Sequence, residues 1–105
     1  IMEPKLVRDN IPAKIKASGQ KPVVRIANQE EAVKLLKEKL FEEALEVQKA
    51  YSKKMLKEEL ADVLEVLFSI AEYEAIPWKE VEEKREKKAQ KRGRFAKRYV
   101  LEKVI

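Results

Sequence analysis

The amino-acid sequence predicts an all-α protein built on a helical hairpin. Apolar residues recur at helical spacing along two long segments of the 105-residue chain, and only four prolines and two glycines are present to interrupt them. A chain of this length supports one domain, residues 1–105, with a modest core. Three long helices from so short a chain leave apolar faces uncovered, so we expect oligomerisation to complete the bundle.

The N-terminal part, residues 5–26, is predicted to be irregular apart from a helical turn near residues 13–17. The first long helix is predicted over residues 29–51. Asn28 precedes it as an N-cap, and Glu31 stands at the third helical position, as in a capping box. These local signals define where the helical hairpin begins.

A polar connection at residues 52–54 leads to a second helix, predicted over residues 56–74. Pro77 fits the first turn of a third helix, which Gly93 ends. The tail, residues 99–105, is predicted to be extended or to pack against a partner.

Residue composition restricts the chemistry. The sequence has no cysteine and no histidine, which excludes disulfides, thiolate and imidazole metal ligands, and histidine-based catalysis. Any metal must be bound by oxygen, which indicates a hard cation such as Mg²⁺, with Mn²⁺ as a substitute. The net charge of +5 favours anionic partners such as phosphates.

Composition also bears on location and source. Charged residues, mostly Lys and Glu, make up 41% of the chain, a composition typical of thermophile proteins. No apolar run approaches the roughly 20 residues of a membrane span, and the start does not resemble a signal peptide. We therefore expect a cytoplasmic protein with no membrane partner.

Two pairs of acidic residues interrupt the apolar faces of the long helices. When the helices are wound at about 100° per residue, Glu43 lies inside the apolar arc of the first helix, and Glu46 follows three positions on. Glu59 lies inside the arc of the second helix, and Asp62 again follows at i+3. The apolar residues of the two arcs are Val33, Leu36, Leu40, Ala44, Val47 and Tyr51, and then Leu56, Leu60, Val63, Leu64, Val66, Leu67 and Ile70.

A carboxylate on a packing face is costly unless it has a partner, because its charge loses hydration. If the two helices form an antiparallel hairpin, the acidic pairs face each other and four carboxylates converge. A divalent cation would then provide the counter-charge. The alternative interpretation is a solvated face, since Glu-x-x-Glu is common in helices rich in Lys and Glu.

The segments LFEEALEV (residues 40–47) and EELADVL (residues 58–64) resemble the Glu-x-x-Glu and Glu-x-x-Asp motif pair of the MazG-like all-α nucleoside triphosphate pyrophosphohydrolases. The segments KLVRDNIP (residues 5–12) and KRGRF (residues 91–95) also resemble parts of small members related to phosphoribosyl-ATP pyrophosphohydrolase. The resemblance extends over nearly the whole chain.

The resemblance implies an activity and its metal ligands. The family binds Mg²⁺ through the four motif carboxylates and cleaves a nucleoside triphosphate between the α- and β-phosphates, which gives the monophosphate and pyrophosphate. The implied ligands are Glu43, Glu46, Glu59 and Asp62, and the implied assembly is a homodimer or homotetramer. Enzymes acting on phosphoribosyl-ATP often carry a histidine after the second motif, and this sequence has none. A house-cleaning nucleotide hydrolase is therefore favoured, with phosphoribosyl-ATP hydrolysis as the alternative.

The chemistry requires a general base and positive charge around the triphosphate. Glu43 or Glu46 is the candidate base, and the sequence does not choose between them. The basic stretch at residues 84–98 holds nine Lys and Arg residues and one acid. The candidate substrate-binding residues are Arg8, Lys54, Lys91, Arg92 and Arg94 for phosphate and Phe95 for the base.

Two other classes of protein remain open. The basic stretch would suit a non-catalytic helical module that binds nucleic acid, and the apolar arcs would suit a structural coiled-coil subunit. Neither explains Glu43 and Glu59, whose charges would repel a nucleic acid, so a nucleic-acid partner is not favoured. Dependence on a divalent cation separates the hydrolase from both.

Overall fold

A computed structural model describes residues 4–105 of the chain, and residues 1–3 lie outside the described part. The described residues form four α-helices and no β-strand. In chain order they are α1 (Ile11–Ala17), α2 (Gln29–Lys49), α3 (Lys53–Tyr73) and α4 (Trp78–Arg92). The predicted all-α class is therefore confirmed for this part of the chain.

Side-chain caps start the two long helices. The Asn28 side chain accepts a hydrogen bond from the backbone N–H of Glu31 at 2.9 Å, which confirms the predicted N-cap of α2. Ser52 caps α3 in the same way, accepting from the N–H of Met55 at 3.1 Å. The carboxylate of Glu31, however, receives both of its side-chain hydrogen bonds from Arg25, at 2.6 and 2.7 Å, where a capping box would turn it back to the Asn28 backbone.

The helices α2 and α3 pack against each other as the predicted antiparallel hairpin. Gln29 at the start of α2 donates from Nε2 to the carbonyl oxygen of Tyr73 at the end of α3, at 2.6 Å. Three residues, 50–52, connect the two helices. The two helices therefore run in opposite directions along their shared interface.

The core of the hairpin is small. Its buried apolar residues are Ala32, Val33, Leu36, Val66 and Ala71. Much of the apolar arc predicted for α3 is exposed, including Leu56, Leu60 and Leu64, which are 37%, 52% and 44% accessible. The hairpin thus uses one side of a wide apolar arc and leaves the other side uncovered in the single chain.

The connection between the two long helices lies at residues 50–52, two positions before the predicted 52–54. Tyr51 was assigned to the first helix, but α2 ends at Lys49 and Tyr51 is 88% exposed in the connection. Lys54 was assigned to the connection, but it lies in the first turn of α3. Lys54 is helical because the Ser52 side chain caps α3, which begins three residues before the predicted start at residue 56.

The chain divides into two compact units, one ending at Ala75 and the other comprising Ile76–Ile105. The second unit contains α4, which Gly93 ends as predicted, with φ of 83°, a backbone conformation that favours glycine. Residues 94–105 are exposed and form no helix or strand. A single domain over residues 1–105 stays a prediction.

Within the described residues, no helix combines the length and apolar character needed to cross a membrane. The cytoplasmic location and the thermophilic source, which were expected from composition, both stay predictions.

Candidate metal centre

The hairpin brings three of the four predicted metal ligands together. Glu43 of α2 and Glu59 and Asp62 of α3 each offer one carboxylate oxygen, and these oxygens all lie within 4.8 Å of one another. All three residues are partly buried. We refer to Glu43, Glu59 and Asp62 as the acidic cluster.

Helical spacing places these residues on the packing faces. Glu43 follows the partly buried Leu40 by three positions, so both lie on one side of α2, and the Glu43 carboxylate reaches those of α3 from that side. On α3, Asp62 precedes the buried Val66 by four positions and follows Glu59 by three. The acidic cluster is therefore built into the hairpin interface, continuous with its apolar part.

The surroundings disfavour the charged forms of two of the carboxyls. Desolvation raises the pKa of Glu43, and the charge of Asp62 raises it further, whereas Lys39 lowers it. The pKa of Glu59 is also raised, first by desolvation and then by the charges of Asp62, Glu43 and Glu46. The cluster thus holds more negative charge than its neighbours compensate, which is the electrostatic condition for attracting a cation.

Glu46, the fourth predicted ligand and one of the two candidate bases, lies outside the acidic cluster and is exposed. Its charge nevertheless raises the pKa of both Glu43 and Glu59. It is therefore close enough to act on the cluster electrostatically. Direct ligation by Glu46 stays a prediction.

Arg8 is the predicted substrate-binding residue that the structure brings to the acidic cluster. Its Nη2 atom donates a hydrogen bond to Oδ1 of Asp62 at 2.8 Å, across 54 positions of sequence. Both side chains remain about half exposed. A guanidinium can donate further hydrogen bonds, so Arg8 is suited to bind an anionic ligand at this place.

The remaining predicted substrate-binding residues lie elsewhere along the chain. Lys54 lies in the first turn of α3, five residues before Glu59. Lys91, Arg92, Arg94 and Phe95 belong to the second compact unit and are exposed. Within that unit, Arg94 donates to Glu86 Oε2 at 3.2 Å. Their role toward a substrate stays a prediction.

Lys39 is a residue of the site that the sequence analysis missed. It precedes Glu43 by four positions on α2, is partly buried, and lowers the pKa of that carboxyl through its charge. The Lys-to-Glu spacing of i, i+4 was the available signal. In a chain so rich in Lys and Glu, that spacing recurs too often to single out one pair.

Comparison with known proteins gave no match to this chain among family models, curated proteins or solved structures.

We expect Glu59→Gln to raise the melting temperature of the metal-free protein, because it removes a charge that the folded state disfavours. The gain should be largest near neutral pH. It should shrink as the pH falls through the raised pKa of Glu59, since the wild-type carboxyl then takes up its proton in the folded state first.

Thermal unfolding in EDTA from about pH 7 to about pH 4 measures this effect. Glu65→Gln, an exposed residue of the same helix, controls for the change in net charge. An equal gain in both variants, or a gain that grows toward acid pH, would show that Glu59 carries no special electrostatic cost.

Proposed function

We propose that this protein is a Mg²⁺-dependent nucleotide pyrophosphohydrolase of the MazG-like kind. It would cleave a nucleoside triphosphate between the α- and β-phosphates to give the monophosphate and pyrophosphate. The main support is the acidic cluster, whose three carboxylate oxygens lie within 4.8 Å of one another in a helical hairpin. The motif pair at residues 40–47 and 58–64 suggests the reaction.

The donor set suits a hard divalent cation. Oxygen is the ligand atom that Mg²⁺ and Mn²⁺ prefer, and carboxylates supply it with negative charge. Glu43, Glu59 and Asp62 would hold the metal, and we assign Glu46 as a fourth ligand. When bound, Mg²⁺ supplies neutralisation of phosphate charge and a more acidic water.

The residues of the chain would then position the reactants. Glu43 or Glu46 would accept the proton of the attacking water. The raised pKa of Glu43 suits that carboxyl to the role of base. Arg8, next to Asp62, would bind a phosphate oxygen. Lys54 would offset part of the remaining phosphate charge, and the substrate-binding roles of Lys91, Arg92, Arg94 and Phe95 stay predictions from the sequence.

The substrate is proposed to be a nucleotide removed in house-cleaning. The sequence has no histidine, whereas enzymes acting on phosphoribosyl-ATP often carry one after the second motif. Hydrolysis of phosphoribosyl-ATP is the alternative substrate assignment.

We further propose that the protein is a homodimer or homotetramer. The small core of the hairpin and the exposed row Leu56, Leu60 and Leu64 on α3 support this assignment. These leucines recur every four residues, so they form one continuous apolar strip along the helix. A second copy that covered the strip would bury it without requiring any change in the hairpin.

We expect wild-type protein to release pyrophosphate and the monophosphate with Mg²⁺ and to be inactive in EDTA. Glu59→Gln should lower kcat/KM by about a hundredfold or more, because it removes a metal ligand, while Glu65→Gln should stay near the wild-type value. Pyrophosphate release is measured on a panel of canonical and modified nucleoside triphosphates and phosphoribosyl-ATP.

Near-normal turnover of Glu59→Gln with Mg²⁺ would show that the acidic cluster is not the catalytic site. No release from any substrate, together with no metal affinity, would favour the basic nucleic-acid-binding module.

We expect Leu60→Asp to reduce the oligomer to monomers, because a charge in the apolar strip would be desolvated at the interface. Sedimentation velocity measures the distribution of species. Val24→Asp, at a residue that is 64% exposed outside the helices, is the matched control and should leave the oligomer intact. A wild-type protein that is monomeric at every concentration would disprove the assembly.

A further inference from the structure

The N-terminal segment, residues 4–10, brings positive charge to the acidic cluster. Leu6 and its neighbours share the walls of a surface pocket with Leu35 and Lys39 of α2. From this segment Arg8 reaches Asp62 on α3, where Nη2 and Oδ1 are 2.8 Å apart. Arg8 is thus directed at a predicted metal ligand from outside the hairpin.

The Arg8–Asp62 ion pair contributes little to folding stability, because both side chains are about half exposed and solvent screens the attraction. Its position matters for ligands, because the guanidinium is hydrogen-bonded to a residue of the acidic cluster. Arg8 forms one hydrogen bond to one oxygen of Asp62, Oδ1.

The positive charge of Arg8 repels one kind of ligand and attracts another. A free divalent cation is repelled by the guanidinium and competes with it for Asp62. A cation that arrives with a triphosphate is part of a complex whose net charge is negative, and that complex is attracted by the guanidinium.

We propose that Arg8 is a specificity-determining residue, which makes the acidic cluster prefer a cation bound to a polyphosphate over the free cation. This inference rests on the proposed function, since it takes the acidic cluster as the metal site. A purely structural role for Arg8, in which it only holds Asp62 in place, would weaken the binding of both ligands when Arg8 is lost.

The test compares wild-type protein with Arg8→Gln in two binding measurements. Paramagnetic resonance of free Mn²⁺ gives the affinity for the cation alone, and calorimetry gives the affinity for Mn²⁺ with inorganic tripolyphosphate, a probe that has no base. We expect Arg8→Gln to bind Mn²⁺ roughly threefold to tenfold more tightly and the Mn²⁺–tripolyphosphate complex roughly tenfold more weakly.

Two further variants separate charge from structure. Arg25→Gln removes the same charge and another exposed ion pair, with Glu31. Glu31 precedes Glu43 by twelve residues of α2, about 18 Å along the helix axis, so both affinities should stay unchanged. Arg8→Lys keeps the charge and should resemble wild-type protein in both measurements.

Affinities that both fall or both stay the same in Arg8→Gln, while wild-type protein binds Mn²⁺, would overturn the role of Arg8 and leave the metal centre standing. A lysine variant that behaves like the glutamine variant would also overturn it. If neither wild-type protein nor Arg8→Gln binds Mn²⁺, the metal centre itself is wrong, and this inference falls with it.

Discussion

The antiparallel packing of α2 against α3 is the constraint on which the rest of the structure depends. The two helices bury a short apolar contact that includes Leu36 and Val66. Glu43, Glu59 and Asp62 lie on the same faces, so the hairpin cannot close without bringing their charges together. The apolar part of the interface stabilises the fold, and its acidic part creates a place where a cation would be stabilising.

Neighbouring basic groups offset only part of this negative charge. Arg8 pairs with Asp62, and Lys39 acts on Glu43, yet the pKa values of Glu43 and Glu59 both remain raised. A structural ion-pair network would be expected to lower the pKa of its carboxyls, as Arg25 does for Glu31. The pKa of Glu31 is lowered, whereas those of Glu43 and Glu59 are raised. This difference distinguishes the acidic cluster as a candidate functional site.

Local signals predicted most of the fold, and tertiary contacts account for what was missed. Helical periodicity and the Asn28 cap depend on residues a few positions apart, so both could be predicted from the sequence alone. The apolar arc of α3 is wider than the surface that α2 covers. Only the packing of α3 against α2 therefore decides that Val66 is buried and Leu60 is exposed. The ion pair between Arg8 and Asp62 also depends on tertiary packing, because its partners are 54 positions apart in the sequence. Helical spacing and the hairpin predicted that four carboxylates converge. Glu43, Glu59 and Asp62 do so, whereas Glu46 is exposed and lies outside the cluster.

The most direct test of the metal centre is anomalous X-ray diffraction from crystals grown with Mn²⁺. The acidic cluster predicts a manganese peak bounded by carboxylate oxygens of Glu43, Glu59 and Asp62. A cluster without a peak, with manganese bound only at exposed carboxylates elsewhere on the helices, would contradict the metal centre and with it the proposed hydrolase.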